Sequence, residues 1–96
     1  MKKCLNDMIQ DIQVFNSVYQ NEDTKEEYYE RVAFQLSQID SINENLHPNW
    51  RDKEPKTDIS LKSGLDITVL IDFEEMLCLW ELYKAQEKKS LTYIYN

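Results

Sequence analysis

Glycine occurs once in the 96 residues and proline twice. Gly64 alone cannot build a glycine-rich loop, which excludes phosphate binding of the P-loop or Rossmann type. The same scarcity leaves few places to turn tightly, so most of the chain should be regular secondary structure. Cysteine is also sparse: Cys4 and Cys78 stand far apart and in no CxxC or Cys/His cluster, which indicates neither a disulfide framework nor a zinc site. Basic residues are outnumbered 18 to 11, for a formal charge of -7. That balance disfavours direct contact with nucleic-acid phosphates or anionic lipid. No window approaches the ~20 apolar residues of a membrane span, and Met1-Lys2-Lys3 is not followed by the apolar run of a signal peptide. The expectation is a soluble cytoplasmic protein with no membrane partner.

A chain of this length has room for one domain. Its 42% hydrophobic content supports a core. Apolar residues recur as Leu5, Met8, Ile9, Ile12, Phe15, Val18 and Tyr19, the spacing of one helical face. The polar run Gln20-Asn21-Glu22-Asp23 should end that helix. Thr24-Lys25-Glu26-Glu27 then has the spacing of a capping box. It would open a second helix whose buried arc holds Tyr28, Tyr29, Val32, Ala33, Leu36, Ile39, Ile42 and Leu46, and which stops at His47 before Pro48. These two helices predict an antiparallel helical hairpin over residues 4–47, followed by an irregular connection over 48–57.

Beyond that connection the period falls to two. Ile59 and Leu61 alternate with polar residues, Ser63-Gly64 intervenes, and Leu65, Ile67, Val69 and Ile71 alternate again. This is the pattern of a β-hairpin. Asp72 followed by Glu75 is an N-cap signal, so a central, largely apolar helix should start at Phe73 and run to about Lys89. Leu91-Thr92-Tyr93-Ile94-Tyr95 is aromatic and β-branched and predicts a short closing strand. The fold class expected from these signals is α+β: helical hairpin, β-hairpin, buried helix and terminal strand, with residues 58–96 as its second half. The alternative is an all-α three-helix bundle with residues 66–89 as one continuous helix.

Chemistry is thinly represented. His47 is the single histidine, with no partner or nucleophile identifiable beside it, and neither cysteine has a base to activate it. Glu22, Asp23, Glu26, Glu27 and Glu30 form an acidic cluster, but no calcium-loop pattern accompanies it, and a solvated helix start explains it better than a metal site. No catalytic residue, cofactor or metal is assigned.

Features suited to contact with another protein are more numerous. Phe34 falls on the polar side of the second predicted helix and should be exposed. Trp50 and Arg51 are residue types common at binding hot spots, though Trp50 could equally fold back over the core. Tyr93 and Tyr95 would share one face of a terminal edge strand able to add to a partner's sheet. With Glu26, Glu27 and Glu30 these make the candidate partner-binding set. The expected function is that of a small acidic non-enzymatic interaction module, such as an inhibitor, antitoxin, immunity protein or phage-encoded antagonist, whose partner is a protein with a basic surface. The rivals are a homo-oligomeric small-ligand binder, homodimer formation included, and more remotely a metal-dependent enzyme using the acidic cluster.

Overall fold

The computed structural model describes residues 8–95, with side chains in the last helix described as far as residue 88. The chain forms β1 (Ile12–Gln20), β2 (Glu27–Gln35), a 3-10 turn (Leu36–Gln38), β3 (Ile39–Glu44), β4 (Thr57–Leu61), β5 (Asp66–Val69) and α1 (Phe73–Tyr95). The strands make one antiparallel sheet in the order β2-β1-β5-β4-β3. The fold is therefore mostly β with one C-terminal helix. The predicted helical hairpin over 4–47 and the three-helix bundle are both overturned.

The helical reading of the first half fails because some of its spacings fit a strand as well and the others are reconciled with one only by the tertiary structure. Tyr28 and Val32, four apart, share a face in a strand as they would in a helix. Ile39 and Ile42 are three apart, yet both pack on the core. A bulge between Ile39 and Ser41 leaves Asp40 unpaired and reverses the parity between them. Phe15 and Val18 are also three apart. Phe15 packs on the core, while Val18 lies on the opposite face with Tyr29 and is 2% exposed. The Thr24 motif is a turn rather than a helix start: Asn21 Oδ1 accepts the amides of Asp23 and Thr24, Thr24 Oγ1 accepts that of Glu26, and Lys25 is left-handed at φ 66°.

β2 and β3 are opposite edges of the sheet, yet only three residues separate them. Four inter-strand spacings would put those edges ~19 Å apart in a flat sheet. The link from Gln35 to Ile39 reaches only about 14 Å fully extended. The sheet must therefore curl into a partial barrel. Bonds from the Leu36 amide to the Asp11 carbonyl and from the Lys62 amide to the Gln38 carbonyl fasten that corner. Inside the curl lie Phe34, Leu36, Ile39, Ile59 and Val69, covered by Met76 and Tyr83 of α1. Phe34, expected at the surface, is 7% exposed and stacks on Phe15 at 5.4 Å, because strand parity points it inward.

β4 and β5 turn through Gly64, whose φ of 95° suits glycine. Asp72 caps α1, its Oδ2 accepting the Glu74 amide at 3.0 Å. The helix then continues through Leu91 to Tyr95. The expected terminal strand is overturned: no glycine or proline follows Gly64, so nothing stops the helix. Tyr93 and Tyr95 are thus helical, and their side chains lie outside the described residues. So does Cys4. Among the described residues, no helix is long and apolar enough to cross a membrane.

A candidate binding surface on the first hairpin

The polar segment between β3 and β4 crosses the sheet to reach the hairpin of β1 and β2. Glu27, at the start of β2, accepts the backbone amides of Arg51 and Asp52. Gln20 Nε2 donates to the Asn49 carbonyl at 3.2 Å. Partial burial opposes ionisation of Glu27, but the Arg51 and Asp52 amides outweigh it and hold the carboxyl below its usual range. Asp52 is lowered in the same way, first by the Glu54 amide. Tyr29 donates to Glu27, and restricted solvation together with the Asp52 and Glu27 carboxylates pushes its phenol up to about 12.

Two further side chains shape this segment from within. Asn45 donates to both oxygens of Asp58 and accepts from the Trp50 indole at 3.0 Å. Lys56 is 3% exposed, donates to the Asp52 and Glu54 carbonyls, pairs with the Asp52 carboxylate at 3.6 Å and stands 5.2 Å from the Trp50 ring centroid. Among the described residues no buried side-chain polar atom lacks a partner. The Arg51 amide thus meets Glu27, whereas Trp50 turns back onto Asn45 and Lys56 within the same covering loop. A cleft of about 400 Å³ opens beside it, lined by His47, Trp50, Lys53, Asp72 and Phe73 among others. His47 lies in this loop rather than at a helix end, and its Nδ1 accepts the Asn49 amide. No three His, Cys, Asp or Glu side chains gather as a metal would require, among the described residues.

The opposite face of the hairpin is different. Tyr19 and Tyr28 stand across from each other, stacked at 5.2 Å, and are 53% and 40% exposed. The Tyr28 hydroxyl donates to Glu26 Oε1 at 3.0 Å, and that bond raises the phenol's pKa. β1 pairs with β5 in register only at Ser17 and Val69, so the two strands part beyond it. The parting leaves a groove of about 310 Å³ lined by Ser17, Tyr19, Glu30, Val32, Leu65 and Ile67, with Asp66 at its rim. Its apolar walls end in carboxylates only: Glu30 and Asp66 are the charged residues lining it. Asp66 accepts the Ser60 hydroxyl, whereas the Glu30 carboxylate has no hydrogen-bond or ion-pair partner among the described residues.

Of the residues singled out in the sequence, Glu26 and Glu30 come together with the tyrosine pair. Glu27 and the Arg51 backbone come together on the other face, Trp50 packs within the loop on Asn45 and Lys56, and Phe34 joins the core. Tyr19, Tyr28, Leu65 and Asp66 were not anticipated. The adjacent pair Tyr28-Tyr29 was their signal, since neighbouring residues in a strand point to opposite faces. The chain matches no protein-family model, no curated protein and no solved structure.

Proposed function

We propose that this chain is a small acidic interaction protein that docks its first hairpin on a basic surface of a partner protein, acting by occupancy as inhibitors, antitoxins and immunity proteins do. The observation that carries this reading is the stacked, solvent-facing Tyr19–Tyr28 pair beside a groove whose charged rim is wholly acidic. Tyrosine supplies a rigid contact area with a polar tip at low entropic cost. Carboxylates around it steer and orient a cationic partner. A lysine or arginine stem would lie against Val32 and Ile67, with its head at Glu30.

Affinity capture from host lysate with wild type, Glu30→Lys, Tyr28→Ala and Glu81→Lys tests this directly. A basic protein retained by wild type and by Glu81→Lys, whose charge change lies on α1, should be held about ten-fold more weakly by the other two. Equal capture by all four proteins would remove the hairpin from any binding role.

A further inference from the structure

The two edges of the sheet are protected unequally. β3 is six residues long and interrupted by its bulge. β2 is nine residues long, pairs with β1 without a register shift, and contains no proline or lysine. A long uninterrupted edge is a template for another strand. Its free groups can be assigned. Hydrogen-bonded rungs alternate along an antiparallel ladder, and here bonds from the Asn21 amide to Glu26 and from the Leu36 amide to Asp11 bracket it. The rungs between them fall on Tyr28, Glu30, Val32 and Phe34. The amides and carbonyls of Glu27, Tyr29, Arg31, Ala33 and Gln35 consequently point away from the sheet.

We infer that β2 pairs antiparallel with β2 of a second copy, about a two-fold axis at Tyr29, to form a ten-stranded sheet across a homodimer. Charge selects this register from the five, with axes at residues 29 to 33, that use the outward groups near the strand centre. An axis at Glu30 sets Glu30 against itself, and one at Val32 sets Arg31 opposite Ala33, with no ion pair. An axis at Arg31 sets Arg31 against itself. An axis at Ala33 sets Arg31 opposite Gln35, with no ion pair. An axis at Tyr29 sets Arg31 opposite the second copy's Glu27, twice, on the face where the Arg51 and Asp52 amides already hold Glu27 in place. Cross-strand pairs of opposite charge stabilise a sheet, and like charges directly opposite destabilise it. The contact is mainly backbone and small, so the dimer is a weak one, forming in the micromolar range or above. On the other face the same register sets Tyr28 opposite the second copy's Glu30, so the seam borders the tyrosine groove. The pairing rests on the strand edge rather than on the partner reading, and Arg31, on the opposite face from the groove, tests it separately.

Analytical ultracentrifugation of the full chain from micromolar to submillimolar concentration should show a reversible monomer–dimer equilibrium. Arg31→Pro removes an outward amide without touching the β1 ladder and should give a monomer with an unchanged far-ultraviolet spectrum. Arg31→Glu, which asks nothing of the backbone, should dimerise about ten-fold more weakly. The register is read by disulfide trapping in a Cys4→Ser, Cys78→Ser background. Tyr29→Cys should cross-link on mild oxidation, because hydrogen-bonded partners lie about 5.5 Å apart at Cα, and Ala33→Cys should not. A wild-type monomer throughout, dimerisation undiminished by both Arg31 variants, or trapping at position 33 instead of 29 would each overturn the inference.

Discussion

In the hairpin of β4 and β5, Ile59 and Val69 are fully covered and Thr57 between them and the helix start is buried too. The hairpin of β1 and β2 has strands of nine residues against five and four, yet it leaves Ile12, Val14, Tyr19, Tyr28 and Tyr29 between 40% and 63% exposed. The difference comes from where α1 lies. The helix packs chiefly on β3 and the 3-10 turn and shares one core cluster with Phe15 and Phe34 of the long hairpin. Strand length is therefore no measure of burial here. The short hairpin carries stability, and the long one presents surface.

Four measurements would break or sharpen that contrast. Ile59→Ala opens a cavity under α1 and should cost about 3 kcal/mol in urea unfolding. A loss below about 1 kcal/mol would deny the short hairpin its central place. Lys56→Ala removes the cation that two carbonyls, Asp52 and Trp50 surround, and should cost about 2 kcal/mol, with the 45–56 segment becoming susceptible to proteolysis before the rest. The third is pH dependence. Asp11, Glu27 and Asp52 have folded pKa values below the ordinary 3.8, 4.5 and 3.8, so the stability they contribute is present above those values and is lost as pH falls through the lower folded ones. For Asp11 burial acts the other way and is outweighed by the Ser37 amide and hydroxyl. At the alkaline end, Tyr29 and Tyr83 are raised from 10 to about 12, so their contribution holds below pH 10 and fades as pH rises toward 12. Burial is the leading cause for Tyr83, with Asp11 and Glu87 beside it. Tyr29→Phe should remove the hairpin's share of the alkaline loss and leave that of Tyr83, as read by melting temperature against pH. The smallest effect belongs to Tyr28→Ala, which should change stability by less than about 0.5 kcal/mol. A loss rivalling that of Ile59→Ala would make the tyrosine pair part of the core instead of a surface for a partner.

The same contrast explains which parts of the fold were legible from residues alone. β4, β5 and the start of α1 announce themselves because one face of each strand is covered and the other wet, which writes a clean alternation, and because Asp72 caps the helix with its own side chain. β1 and β2 have apolar residues on both faces, since the core covers part of one face and a distant loop crosses the other. Their pattern lacks a clean period of two and so imitates a helical face, and aromatic and β-branched content was the better guide: Ile12, Val14, Phe15, Val18 and Tyr19, then Tyr28, Tyr29, Val32 and Phe34. The binding surface was half legible. Glu26 and Glu30 share a face at a spacing of four in a strand as in a helix, whereas the tyrosine ledge requires knowing that Tyr19 and Tyr28 are cross-strand partners.

Composition by itself determined the charge and the lack of a glycine-rich phosphate loop. Only tertiary structure decided that Ile39 and Ile42 face one core across a bulge, that Phe34 turns inward, and that a loop from beyond β3 is fastened to Glu27. The physical reason is range. Caps, charge and composition act within a few residues of their source, but which face of a strand is covered depends on elements that arrive from elsewhere in the chain.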